Sequence, residues 1–242
     1  MIGTLTLSRL EMSRVLRNKR YLLFTIGVPV ALYLAIGRQV SAHAYGVEYK
    51  AYYMIAMAAM GTFSGALTGN AQRISQERKD GWIRQLRITP LPASAYLIAK
   101  IITSMVTSVP AVVIVLALGR FYGDVQLAGW KWVAIGLAVW LGSVTFAALA
   151  VAMGYRFLPD TVQPMALFIY LVMNVLGGVW FALSGTMQKI GQVLPTYQII
   201  KIGTNVIIAG TVPMPSVAII LAWLAGFVVL AVWSVRSTVE SI

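Results

Sequence analysis

Charged residues punctuate this chain, and long apolar stretches run between them. Residues 21–37, 51–72, 101–119, 132–155, 161–188 and 202–235 contain no Asp, Glu, Lys or Arg. A helix needs about 17–25 mostly apolar residues to cross a bilayer, and the first five stretches each supply one crossing. The sixth is too long for one crossing and contains Gly210-Thr211-Val212-Pro213-Met214-Pro215, where two prolines stop a helix. The pattern therefore predicts six spans, at roughly 21–38, 51–71, 96–118, 131–153, 164–184 and 215–235. Tyr21, Tyr52, Tyr53, Tyr96, Trp130, Trp132, Tyr155, Trp180 and Trp233 stand near their ends, as an interfacial aromatic belt requires. The expected fold is an all-α polytopic membrane protein, with residues 1–242 as a single transmembrane domain.

Composition agrees with this pattern. Apolar residues make up 59% of the chain and charged residues 11%, against about 25% charged in soluble domains. So few charges cannot coat a soluble surface. The net charge of +12 would suggest nucleic acid in a soluble protein, but here it suits loops held against anionic lipid, and no nucleic-acid partner is expected. With the N-terminus inside, the cytoplasmic segments hold 13 of the 19 Lys and Arg, and six (Arg38, Lys50, Arg120, Lys131, Lys189, Lys201) lie outside. The positive-inside rule then places both termini in the cytoplasm. Ser41-Ala42-His43-Ala44 loosely resembles a signal-peptide cleavage site, yet the basic region before it spans 20 residues and its apolar run 17, so an uncleaved first span is expected.

The residues that drive chemistry are scarce. There is no Cys and one His, His43, so disulfides, Cys-based zinc sites and multi-His metal sites are excluded. All seven acids (Glu11, Glu48, Glu77, Asp80, Asp124, Asp160, Glu240) lie outside the expected spans or at their edges. A mid-depth acid costs about 2.5–3.5 kcal/mol on insertion scales and marks proton or ion paths. Their absence there argues against an ion-coupled transporter or an intramembrane protease. None of the seven lysines precedes Ser or Thr, so there is no P-loop. The chain is expected to be no enzyme and to hold no cofactor, and uphill transport would draw its energy from a partner.

Two segments are suited to meet such a partner. Residues 1–20 can form a basic interfacial helix, with Leu5, Met12 and Leu16 on one face and Arg9, Arg14 and Arg17 on others. The loop over 72–93 carries both charge signs. In it, Gly81 allows a turn, and Trp82-Ile83-Arg84-Gln85-Leu86-Arg87 can form a short helix stopped by Pro90. Aromatic and Arg residues clustered in this way are typical of interface centres.

The run Arg73-Ile74-Ser75-Gln76-Glu77-Arg78-Lys79-Asp80-Gly81-Trp82-Ile83-Arg84-Gln85-Leu86-Arg87-Ile88-Thr89-Pro90-Leu91 closely resembles the cytoplasmic loop of ABC-2 type transporter permeases. The basic N-terminal segment, the six spans and Leu194-Pro195 before the last span extend the resemblance along the chain. It implies a permease dimer, formed with a second copy or a paralogue, in a bacterial cytoplasmic membrane. Two cytosolic ATPase subunits would bind ATP and Mg. Residues implied to couple to them are Glu77, Arg78, Gly81, Trp82, Arg84 and Leu86, with Arg14 and Arg17 as secondary candidates. Trp82 and Ile83 depart from the small or β-branched residues common in the family, which bears on partner specificity.

Within the spans, Gly61, Gly65 and Gly69 repeat every four residues and let another helix approach closely. Thr62, Ser64 and Thr68 beside them are candidates to border a substrate path. Asn174, deep in the fifth span, must face protein or a cavity, as interhelical glue or as a substrate contact. Pro29 and Pro110 are expected to kink their helices. Between the last two spans, 185–214 reads as two short re-entrant helices, over 190–200 and 202–209, too short to span.

The expected function is the membrane subunit of an ATP-driven exporter working by alternating access. Uncharged spans and the lack of a large outer domain favour a hydrophobic or amphipathic cargo such as a drug, antibiotic or lipid. One alternative is export of a lipid-linked glycan, which would be favoured by Trp140, Tyr170 and Trp223 facing one cavity. The other is a non-transporting anchor or sensor subunit for an ATPase.

Overall fold

The protein was analysed as a computed structural model, which describes residues 13, 17, 19–37, 39, 40, 42–82 and 93–240. In chain order the elements are α1 (Lys19–Ile36), β1 (His43–Ala44), β2 (Val47–Glu48), α2 (Tyr49–Ser64), a π-helical turn (Gly65–Gly69), α3 (Asn70–Lys79), α4 (Ala93–Phe121), α5 (Gly129–Arg156), α6 (Pro159–Leu176), α7 (Gly185–Gly191), α8 (Pro195–Ile208) and α9 (Met214–Glu240). Among the described residues, three helical segments are long and apolar enough on their own to cross a membrane: Ile98–Phe121, Gly129–Arg156 and Met214–Ser237. The other helices at expected crossings are shorter. α1 and α6 have 18 residues each, and α2 has 16 before the π turn.

α2 is the axis of the molecule. Every residue from Ala51 to Phe63 is buried, so this helix is apolar all round, as a helix enclosed by others must be. Small residues let the neighbours approach. A Cβ on Gly61 would stand 3.0 Å from the Thr25 carbonyl oxygen of α1 and 3.2 Å from Ala111 Cβ of α4. Glycines of surrounding helices do the same in reverse: Gly203 of α8 closes on Ile55, and Gly119 of α4 on Met54. Phe63 stacks on Phe146 of α5 at a ring separation of 4.4 Å. Where lipid tails are as apolar as the side chains, such close packing supplies the attraction between helices.

The structure differs from the sequence expectation at particular residues. The fifth helix ends at Leu176, earlier than 184, because Gly177 and Gly178 follow it. Gly178 has φ +74, and Gly177 is packed against Thr196, whose hydroxyl donates to the Met173 carbonyl at 2.7 Å. The short outer helices divide at 192–194 and not at Lys201, since Pro195 opens α8 at its first turn. Lys201 lies inside α8, and most of that helix is buried. The loop expected over 72–93 begins later, because the second helix continues through the π turn into α3 as far as Lys79. α1 and α4 run on through Pro29 and Pro110. Of the N-terminal basic segment, Ser13, Arg17, Lys19 and Arg20 are described and helical, with Ser13 and Arg17 exposed. Arg14 lies outside the described residues.

Outside the helices, β1 and β2 pair antiparallel through Tyr45 (φ 51) and Gly46 (φ 82), a turn with two left-handed central residues. The Tyr45 hydroxyl accepts the Leu183 N–H at 2.7 Å and ties this hairpin to the segment after α6. Burial raises the pKa of Tyr45, so the phenol stays protonated and neutral there.

Glycine-mediated contact is open to direct measurement. A Cβ on Gly154 would sit 2.7 Å from Ile74 Cβ and 3.0 Å from the Ala71 carbonyl, both on α3 or its approach. Gly154→Val should lower thermal stability in detergent by about 1–3 kcal/mol through overpacking. Gly129→Ala, where nothing lies within 4 Å, should leave the melting temperature essentially unchanged.

Candidate functional site

The site is the C-terminal end of the continuous helix formed by α2, the π turn and α3. In a π turn one extra residue widens the helix. Here the carbonyls of Ser64, Ala66 and Gly69 each accept a bond from a side chain four residues on. The donors are Thr68 Oγ1 at 2.7 Å, Asn70 Nδ2 at 3.1 Å and Arg73 Nε at 3.1 Å. Arg73 also donates to Asn70 Oδ1 at 2.6 Å. Gly65 is buried within this turn and Gly69 half-buried. Beyond it, α3 buries Asn70, Ala71, Ile74, Ser75 and Glu77, which form one helical face.

That face is held at two points. Glu77 Oε1 accepts from Lys100 Nζ of α4 at 2.7 Å, with side-chain exposures of 6% and 2%. Taking both charges out of water costs several kcal/mol per ion, and only close, well-aligned partners offset it. The second point is the C-terminus of α5. The Phe157 carbonyl accepts from Ser75 Oγ at 2.7 Å and from Arg78 Nη2 at 2.7 Å. A cation suits the end of a helix dipole. Desolvation of the half-buried Arg78 guanidinium pulls its pKa below the ordinary value.

Immediately beyond, α3 stops. Asp80 N–H returns to the Gln76 carbonyl at 2.8 Å and Gly81 N–H to the Arg78 carbonyl at 3.2 Å. Gly81 has φ +75, a left-handed conformation that glycine adopts without strain. Trp82 follows with 41% of its surface exposed. Arg84 and Leu86 lie outside the described residues. Of the expected coupling residues, then, Glu77 and Arg78 face the other helices, Gly81 makes the turn and Trp82 projects outward. Sequence reasoning missed Lys100, Ser75 and Phe157. A lone Lys at an expected span edge was one available signal; a backbone carbonyl has none.

The expected path residues are placed as follows. Thr62 is fully buried, and its hydroxyl donates to the Ala58 carbonyl at 2.6 Å. Ser64 is half-buried and meets the Tyr170 hydroxyl, which also donates to the Met60 carbonyl at 3.2 Å. Tyr170 thus forms the polar link from α6 to α2. Asn174 is fully buried, and its Nδ2 donates to the Tyr170 carbonyl of its own helix at 2.6 Å. Trp140, Tyr170 and Trp223 have separate hydrogen-bond partners: Trp140 donates to the Met105 carbonyl, Tyr170 to the Met60 carbonyl, and Trp223 to the Val193 carbonyl beside Phe227.

Removing one partner takes away the opposite charge that offsets the other's burial. Glu77→Ala or Lys100→Ala should each cost about 3–5 kcal/mol, read as thermal unfolding in detergent. Joint replacement by Glu77→Leu and Lys100→Leu should recover most of that loss. Ser75→Ala should cost about 1 kcal/mol.

Comparison with known proteins places this arrangement in a family. A family model described as ABC-2 family transporter protein matches residues 31–235. The chain is 28% identical over 225 residues to "Putative transport permease YvfS" of Bacillus subtilis (strain 168), across 91% of this chain and 92% of that protein. The family match runs from within α1 into α9 and includes α3 with its two anchor points. The chain belongs to the ABC-2 family of transporter proteins, whose members form the transmembrane part of an ABC transporter.

Proposed function

We propose that this chain is the permease subunit of an ATP-driven exporter in a bacterial cytoplasmic membrane. It works as a dimer with two copies of a separate cytosolic ATPase, and it moves a hydrophobic or amphipathic cargo by alternating access across six spans with both termini inside. The observation that carries the reading is the double anchoring of α3. Glu77 grips Lys100 of α4, and Ser75 and Arg78 grip the end of α5. The turn at Gly81 and the exposed Trp82 come directly after.

In this reading the segment from Trp82 through Arg84 and Leu86 docks on the ATPase, and Arg14 and Arg17 lie near the same surface. Glu77 and Arg78 transmit and do not touch the partner. A push on Trp82 reaches α3, then α4 through an ion pair and α5 through its terminal carbonyl. Displacements pass through a packed assembly of this kind because its cores shift between discrete arrangements. The scarcity of charge in the apolar helices favours a hydrophobic or amphipathic cargo over a highly charged one, and a drug, an antibiotic or a lipid has that character. Trp140, Tyr170 and Trp223 around one cavity would favour the glycan reading, and each of them bonds a different backbone carbonyl.

The test is co-purification with the Walker-motif ATPase encoded beside this chain, followed by ATPase and vesicle-export assays. Trp82→Ala with Arg84→Ala should abolish co-purification while leaving the melting temperature of the permease unchanged. Glu77→Leu with Lys100→Leu should keep the ATPase bound but uncouple hydrolysis from export. A wild-type complex that hydrolyses ATP without moving any cargo would favour the anchor or sensor role, and absence of any ATPase partner would end the proposal.

A further inference from the structure

A groove of about 590 Å³ runs between α4 and α5 on the outer face of the helix assembly. That volume falls in the range of roughly 300–1,000 Å³ typical of small-ligand sites. Its walls are aliphatic and aromatic, and Val113, Val133 and Leu137 on its rim are exposed. Arg120 is the one charged residue in its lining.

The geometry is polarised along the helices. On α4 the lining begins at Val109 and ends at Arg120, a rise of about 16 Å at 1.5 Å per residue. Half of a bilayer's hydrocarbon core is about 15 Å. On α5, Trp132 lies toward the Arg120 end and Trp140 toward the Val109 end. Both indole N–H groups are already engaged within the protein, Trp132 with the Leu127 carbonyl at 3.3 Å and Trp140 with the Met105 carbonyl at 2.7 Å. Their rings therefore present apolar surface and ask for no polar partner. Gly136 keeps the floor low: a Cβ there would already lie 3.3 Å from Leu116 Cδ1.

Arg120 closes one end in the last turn of α4 and is exposed. One guanidinium nitrogen meets Gln126 Oε1, and the Gln126 amide donates to Asp124 Oδ1 at 2.6 Å. An Arg side chain offers five N–H donors, so this contact leaves capacity to bind a phosphate. The groove therefore joins an apolar trough one leaflet deep to a cation at the level where head groups lie.

We propose that this groove seats one acyl chain of an anionic glycerophospholipid, with the head-group phosphate on Arg120, in the leaflet at the C-terminal end of α4. The occupant is a lipid and not a second copy of this chain because the apolar depth matches one leaflet and the cation stands only at its end. The site is remote in sequence from α3 and does not depend on the identity of the cargo, so it stands or falls apart from the exporter reading.

Native mass spectrometry of the detergent-purified protein tests it, with phosphatidylglycerol, phosphatidylcholine of the same acyl chains, and inorganic phosphate as probes. Wild type should retain one phosphatidylglycerol per chain in preference to phosphatidylcholine. Gly136→Leu, which fills the floor, and Val113→Trp, which closes the rim from an exposed position, should each weaken retention by about tenfold. Arg120→Gln should keep lipid but lose the preference for phosphatidylglycerol. The proposal is overturned if wild type retains no lipid, or if either filling variant melts like wild type and binds lipid equally well. Displacement of the lipid by inorganic phosphate would overturn the acyl seat. A change in oligomeric mass on filling the groove, with lipid retention intact, would assign the face to a protein contact.

Discussion

The buried pair between Glu77 and Lys100 is the constraint on which the junction of α3, α4 and α5 depends. Two opposite charges are held at 2.7 Å where almost no solvent reaches. Neither could remain there alone, since an unpaired buried charge is among the most costly defects in a folded chain. α3 and α4 must therefore stay in register at this point. The same helix is tied to α5 through the Phe157 carbonyl, so three helices meet where the chain turns out at Gly81. Whatever pulls on the chain at Gly81 therefore pulls on the apolar helices themselves.

Close helix packing makes that attachment stiff. Around α2, glycines are placed where backbones or large side chains must pass. Gly61 sits against α1 and α4, Gly203 against Ile55, Gly154 against Ile74. The π turn serves the same end. It lets an enclosed apolar helix continue into α3 while turning a different face toward α4 and α5, and side chains four residues on bond the carbonyls in and beside it. The outer side is built differently, with short helices, glycine breaks and a tyrosine cluster in which Tyr45, Tyr52 and Tyr197 pack edge to face.

Much of this was legible in the residues. The spacing of charges marked out the helices at most of their ends, because a charge in hydrocarbon is too costly to be placed casually. The Gly61 ridge was read as packing surface, and Gly61 does meet two neighbouring helices. The run around Gly81 was read as a turn, and its φ of +75 agrees. The stop at Gly177 and the division at Pro195 were also visible as residues, yet the length of the uncharged stretch outweighed them. Glu77 and Arg78 were singled out by their motif as coupling residues, and both bond neighbouring helices. Charge pattern says that an ion is present; the partner it finds is a property of three dimensions.

The sequence by itself determined that the chain is helical and membrane-embedded, that it carries no P-loop pattern, and which short run carries the family's signature. These follow from composition, period and local motif, each fixed by neighbours along the chain. Tertiary structure alone decided that Lys100 answers Glu77 across 23 positions, that a carbonyl at Phe157 receives Ser75 and Arg78, and that Arg120 closes a leaflet-deep trough between α4 and α5. The physical reason is that the worth of a buried charge, a backbone acceptor or a groove lies in what is brought next to it. That juxtaposition comes from helix packing, which hydrophobic spacing along a single segment does not encode.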